Sequence, residues 1–347
     1  MEGVSPNLDA RPDPAPVERL GRRMSPIQRC KHRPLCRVGA VIFFLLIGMV
    51  PRLAQAGEIW FAPGDNLARG GRVLDSDFPH LFDEPPSWDT KIDVFQLTPF
   101  YARTAPDADL LRIQAFLNRH GIALAVATQP MQVSGECDMG EGRSPPGLNL
   151  ALFRRLKRLG LNVRYVALDE PLTFGHFYSR GARPCEFPID DVARRVGLTI
   201  NEMRQSYPNA EVVDYEAPPD IPPDEWADSL NTWLAAYRRY AGSPLYALVF
   251  DVNWRRPWLE QVRQGVEQLQ IHGVKSGMFL TIAGPGTSDE DATMSLKQNI
   301  STVERTRLPL SLFVLACWTP FPTHSLPGSD PTSLTSVLDL YLAQQGR

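Results

Sequence analysis

The sequence predicts a single (β/α)8 barrel of the TIM-barrel class, and three observations predict it. Eight short runs of β-branched, aliphatic and aromatic residues recur along the chain. Between most of them lie stretches with apolar residues near i, i+3, i+4 and i+7, and this alternation of strand and helix periods argues for a parallel sheet covered by helices. The portion that carries them, residues 57–347, is 291 residues long, which suits a closed barrel, whose usual size is about 250 residues. The competing α/β reading is an open doubly wound sheet. It is weakened because no G-x-G-x-x-G follows the first run and no G-x-x-x-x-G-K-[ST] occurs anywhere.

Residues 1–56 precede the barrel. Arg11, Arg19, Arg22, Arg23, Arg29, Lys31, Arg33 and Arg37 crowd the start of the chain without a periodic apolar pattern. They run into VGAVIFFLLIGMV, 13 residues from Val38 to Val50, short of the roughly 20 that span a bilayer as a helix. AQAGE follows, with small residues at Ala54 and Ala56. Basic region, apolar core and A-x-A site in that order predict a signal peptide cleaved after Ala56, and hence a periplasmic or secreted protein with no membrane segment after cleavage. An uncleaved membrane anchor is the competing reading.

The whole chain holds 36 Lys+Arg and 39 Asp+Glu; residues 1–56 account for nine and four of these, so the remainder keeps 27 against 35, a net charge of −8. No long basic run survives there, so the electrostatic footprint of a nucleic-acid binder is missing. A neutral or cationic ligand fits better.

From residue 58 the elements follow in turn. EIWFAP and KIDVFQLTP are the first two strands, and DADLLRIQAFLNRHG is a helix ending on Gly121, a common helix stop. GIALAVATQP, the third strand, leads to the helix LNLALFRRLKRLGLN; NVRYVALDEP, the fourth, leads to the helix PIDDVARRVGLTINEMRQSYP. AEVVDYEAP, WADSLNTWLAAYRRYAG, LYALVFDVNW and PWLEQVRQGVEQLQIHG continue as strand, helix, strand, helix, and the strands KSGMFLTIAG and LSLFVLACWTP close the set. EAPPDIPPDEW (216–226) and AGPGTSDEDA (283–292) read as βα loops rather than linkers, which leaves residues 57–347 as one barrel domain.

Three cysteines remain after residue 56. Cys137 and Cys185 lie in loop-like stretches, SGECDMGEG and SRGARPCEF, and an exported chain meets an oxidising compartment, so a Cys137–Cys185 disulfide is expected. Cys317, inside LSLFVLACW, reads as a buried thiol. No C-x-x-C, H-x-H or H-E-x-x-H occurs, so neither a structural zinc nor a catalytic metal is expected, and no motif calls for a cofactor. Serine-nucleophile chemistry lacks its G-x-S-x-G.

The chemistry of such barrels sits at the C-terminal ends of the strands. Here the fourth strand ends in Asp169-Glu170-Pro171, the fifth in Asp214-Tyr215-Glu216 and the sixth in Asp251-Val252-Asn253-Trp254. An ionised acid beside an apolar run is costly unless paired, and a polar cleft is one reason to place it there. Paired carboxylates are what glycoside hydrolysis needs: one protonates the leaving oxygen, and the other acts as nucleophile or as base for water. Glu170 is the candidate acid/base, with Glu216 or Asp251 as partner. Strands lie about 4.8 Å apart, so Glu216 suits the ~5–5.5 Å of a retaining pair and Asp251 the ~6.5–9.5 Å of an inverting one. Asp169 and Asp214 are the expected structural members, because neighbours along a strand face opposite ways and Asp169 then opposes Glu170. Trp60, Tyr101, Phe174, Tyr178, Trp254 and Trp318, together with His176 and Asn253, fall at or near strand ends and are candidate sugar-binding residues. The competing role for each acid is to cap a helix or pair with a loop arginine.

In DVFQLTPFYA, RYVALDEPLTFGHFY, VVDYEAP, FDVNW and GTSDEDA the chain resembles a group of exported bacterial proteins within the wider TIM-barrel glycosidase superfamily. The resemblance covers nearly all of residues 58–340 and implies a barrel with a strand-four acid at Glu170 and a carbohydrate-related role. DEP is also similar to the NEP of the large retaining glycosidase clan, with Asp169 in place of Asn. That clan carries a Glu nucleophile on strand seven, where this chain reads FLTIAG, so its second group is not matched. The expectation is an exported glycoside hydrolase acting on a poly- or oligosaccharide. The alternative is a carbohydrate-binding barrel without catalysis.

Overall fold

The computed structural model describes residues 57–347 except 68–72, 179–180 and 285. The leader and signal-peptide reading of residues 1–56 lies outside the described residues. Eight strands form the closed, all-parallel sheet: β1 (Glu58–Ala62), β2 (Val94–Leu97), β3 (Ala123–Thr128), β6 (Val163–Asp169), β7 (Glu211–Glu216), β8 (Ala247–Phe250), β9 (Lys275–Leu280) and β10 (Leu312–Ala316). They pair in chain order, with β1 closing on β10. A two-stranded parallel pair, β4 (Met131–Gln132) and β5 (Arg143–Ser144), lies in the excursion after β3. All eight barrel strands coincide with the eight apolar runs. The closed sheet rules out the open doubly wound alternative.

Alternation along each strand divides the core in two. One set of side chains, among them Trp60, Val94, Ala125, Tyr165, Ala167, Val213, Tyr215, Val249, Phe279 and Val314, fills the barrel. Small alanines on β3 leave room for large rings elsewhere: Trp60 packs on Tyr165 at 4.9 Å and Tyr215 on Phe279 at 4.5 Å between centroids. The opposite set faces the helices α1 (Pro99–Thr104), α2 (Asp107–His120), α3 (Leu148–Arg158), α4 (Ile189–Arg204), α5 (Trp226–Ala241), α6 (Leu259–His272), α7 (Asp289–Thr306) and α8 (Leu334–Gln344). The connection from β1 to β2 contains, among its described residues, a short 3-10 turn, Phe78–Phe82, whose rings pack against Phe95, Tyr101 and Phe116.

The segment read as a loop at 283–292 contains the start of α7. Ser288 caps it by accepting from the Asp291 N–H, and Asp289, Glu290 and Asp291 fill its first turn, where acids oppose the positive end of the helix dipole. Cys137 and Cys185 are disulfide-bonded, with Cα atoms 4.9 Å apart. Cys317 is a thiol, but half-buried rather than buried. Among the described residues no helix is long and apolar enough to cross a membrane.

Candidate active site

A cavity of about 610 Å³ opens at the C-terminal mouth of the barrel. Its walls come from strand ends and the loops beyond them, and they include Glu141, Asp169, Glu170 and Asp251. Asp169 arrives by simple alternation: Tyr165 and Ala167, two and four residues before it, belong to the barrel interior. Glu170 arrives differently. Its φ of 45° leaves strand geometry for the left-handed region, so it no longer opposes its neighbour, and both carboxylates line the cavity. The expected opposition of Asp169 and Glu170 is therefore corrected.

Glu141 is carried in by a glycine. Gly142 has φ 72°, and a Cβ there would meet the Asp169 carbonyl oxygen at 2.7 Å. Without one, the loop lies directly on the end of β6, and the Gly142 N–H donates to the Asp169 carboxylate at 3.3 Å. The Cys137–Cys185 bond ties the same loop to the segment preceding α4.

Burial and mutual repulsion set the charge state. Burial, then Asp251, then Asp169, raise the Glu170 carboxyl well above the usual carboxylate range. Burial and Glu141 push Asp169 to about 7. Burial, Glu141 and Asp169 do the same to Asp251, also to about 7. Glu141, exposed at the rim, is raised by partial desolvation against the pull of Arg143. Among the described residues no hydrogen bond holds Glu141, Glu170 or Asp251 in the ionised form.

Glu216 is not in the cavity. It follows Asp214 on the helix-facing side of β7 and is fully buried. Its carboxylate accepts from the Leu172 N–H at 2.7 Å, the Thr173 N–H at 2.9 Å and the Thr173 hydroxyl at 2.7 Å. It anchors the turn just after Glu170, a positioning role that strand adjacency alone does not reveal. Asp214, also helix-facing, accepts from the Trp233 indole N–H at 2.7 Å.

Of the expected sugar-binding residues, Phe174, Asn253, Trp254 and Trp318 line the cavity. The Trp254 indole N–H donates to Thr281 at 3.0 Å, and Trp318 sits edge-on to Phe279 at 5.4 Å. The others lie elsewhere. Trp60 is buried in the barrel against Tyr165, and Tyr101 is buried behind the wall against Phe78. His176 bonds the Phe187 carbonyl through Nδ1. Tyr178 packs against Phe174. Sequence reasoning misses Glu141, Asp169, Gln96 and Tyr215, whose hydroxyl donates to the Gln96 amide oxygen. The visible signal for Glu141 is an acid between two glycines in a cysteine-bearing loop.

Among the described residues no group of three or more His, Cys, Asp or Glu is arranged to hold a metal ion. No protein-family model matches the sequence, and no curated protein matches it. Solved structures similar to this fold include a GH10 endoxylanase from a sugarcane soil metagenome, at 10% identity over 83% of this chain and 97% of that one, with a TM-score of 0.48. GH10 from Paenibacillus barcinonensis follows at 15% identity, 78% and 87% coverage and a TM-score of 0.43. The copper homeostasis protein CutC from Streptococcus agalactiae is similar at 12% identity, 74% and 97% coverage and a TM-score of 0.40. These values describe a likeness of fold alone and carry no argument about a reaction.

Proposed function

We propose that the chain is an exported glycoside hydrolase that cleaves a poly- or oligosaccharide with Glu170 as general acid and Asp251 as its partner. One observation carries this reading: Glu170 is 8% exposed, lines the cavity without a hydrogen-bond donor, and has Asp251 as the charge that raises it most. A carboxyl kept protonated in this way can give its proton to a leaving glycosidic oxygen. Asp251, ionised above about 7, serves as base for water. The two groups stand at the ends of β6 and β8 with β7 between, so their strands are roughly 10 Å apart, which favours the wider, inverting arrangement. Trp254 and Trp318 offer flat faces for a sugar ring. The disulfide and the leader pattern support export.

A non-catalytic carbohydrate-binding barrel is the second reading, favoured by the fact that Glu141, Asp169, Glu170 and Asp251 are all shifted upward and that, among the described residues, only Asp169 of these four accepts a hydrogen bond. Incubating the protein with a panel of oligosaccharides and following reducing ends separates the two. Hydrolysis should fall about 10²–10⁴-fold in Glu170→Gln, the usual share of general acid catalysis, while sugar binding and melting temperature persist. Unchanged turnover would remove Glu170 as the acid. Binding without cleavage by the wild type would establish the second reading.

A further inference from the structure

We infer that the cavity takes a cationic substrate: a sugar bearing a free, non-acetylated amino group, held by Glu141 and Asp169. This deepens the glycosidase reading and rests on it for the kind of ligand.

Two-carboxylate hydrolysis needs two acids, and five line this cavity. Glu141 and Asp169 are in excess. A fifth acid, Asp220, is already matched, its carboxylate accepting from the Arg256 guanidinium at 2.7 Å. Among the described residues lining the cavity the sole cation is Arg255, an exposed rim residue. Arg143 is buried and draws on Glu141 from a distance, but its guanidinium donates to Cys185 Sγ at 3.4 Å and lies over the Tyr178 ring. Among the described residues the lining therefore gathers acids in excess of cations around an open space. Of these acids Glu170 is buried, Asp169 and Asp251 are half-buried and Glu141 is exposed at the rim, and like charges gathered in one cleft favour a cation from solution.

Glu170 gives an independent sign of what is missing. Its side chain is nine-tenths buried, faces the cavity and meets no donor. An ammonium supplies three donors and a positive charge at once. The aromatic members of the wall, Phe174, Trp254, Phe279 and Trp318, add ring faces and edges, and faces attract cations. Uronates, sulfated sugars and phosphorylated sugars meet repulsion instead. A neutral sugar satisfies the acids with hydroxyls, but gains nothing from their number.

Glu141 is an acid of the cavity to which the proposed hydrolysis assigns no proton transfer. It rides on a loop stapled by Cys137–Cys185, and its charge bears on Asp169, Glu170 and Asp251 alike.

The test is calorimetric titration of the full chain with matched oligosaccharides. Glucosamine and galactosamine oligomers of several linkages are compared with their N-acetylated forms, with neutral glucose oligomers and with uronate oligomers. At least one amine oligomer should bind ten-fold or more tightly than its acetylated partner. That ratio should shrink in 1 M NaCl, where charge attraction is screened, and fall toward one in Glu141→Gln. The salt arm needs no variant and so survives any folding defect in Glu141→Gln. Equal or tighter binding of acetylated, neutral or uronate oligomers overturns the inference, as does no binding across the panel. An amine oligomer bound but not cleaved removes the hydrolase reading and leaves the inference standing. A neutral oligomer cleaved without amine preference does the reverse.

Discussion

Glu170 and Glu216 illustrate how two acids at the ends of adjacent strands come to different uses. Glu170 adopts φ 45°, a conformation that costs a non-glycine residue roughly 1–2 kcal/mol, and the turn after it is held by the three hydrogen bonds that Glu216 accepts. Removing that acceptor should loosen the turn. Glu216→Ala leaves two buried N–H groups and a hydroxyl without a partner, so chemical denaturation should show a loss of about 3 kcal/mol, with hydrolysis falling alongside. Glu216→Gln should lose stability too, because its amide nitrogen cannot accept. If Glu216→Gln abolished hydrolysis with melting unchanged, Glu216 would be a catalytic group and not a positioning one. The acid triplet on strands four to six was legible in the sequence, because carboxylates at the ends of apolar runs stand out. Which of them face the cavity was not. Strand alternation sends Asp214 and Glu216 outward together, a face that composition does not reveal, and the backbone turn at Glu170 breaks the alternation on which the reading of Asp169 relied. Glu141 enters through the close approach of Gly142, a contact distant in sequence.

Elements show a similar division. Strands buried on both faces write themselves as continuous apolar runs, which is why all eight barrel strands could be read. The helix α7 is harder, because its buried Ala292, Leu296, Ile300 and Val303 are scattered among polar residues in a mostly hydrophilic segment. The reading at 283–292 therefore stops at loop, where Ser288 and three acids in fact open a helix. The excursion between β3 and α3 has almost no regular structure beyond β4 and β5, and its order depends on tethers. Cys137–Cys185 is one; Asp138, which accepts from the Arg183 backbone N–H at 2.9 Å, is another. A disulfide across 48 residues restricts the unfolded chain by up to about 4 kcal/mol in the loop-closure account. Replacing both cysteines by Ser should accordingly lower the melting temperature. It should also speed hydrogen exchange in 131–144, and reduce hydrolysis through the displacement of Glu141. A melting temperature indifferent to both thiol reduction and the double substitution would show that packing alone holds the excursion.

Across the whole molecule, the electrostatic balance ties stability to the cavity. Asp75 is raised to about 6, Asp169 and Asp251 to about 7 and Glu216 to about 8, each chiefly by burial. A carboxyl whose folded value lies above its unfolded one stabilises the fold fully below the unfolded value, near 4. That contribution is lost as pH rises through the folded value. Four such groups put the loss between about pH 5 and pH 8. The acids shifted downward, such as Glu84, Glu136 and Asp138, lie on the surface and act in the opposite sense only below about pH 4, where exposed pairs contribute little. The melting temperature should therefore peak near pH 4–5 and decline toward pH 8. Asp251→Asn locates the cause, because it removes one half-buried charge without changing size. A carboxyl lifted from 3.8 to about 7 disfavours the ionised fold by on the order of 4 kcal/mol, and in a domain of this length each kcal/mol moves melting by about 2 °C. The variant should melt several degrees above wild type at pH 8 and level with it at pH 4, while hydrolysis is lost at both. A melting curve flat between pH 5 and 8, or an Asn variant no more stable than wild type at pH 8, would mean that the cavity acids are already neutralised within the fold. That result would also weaken the grounds for a cationic sugar.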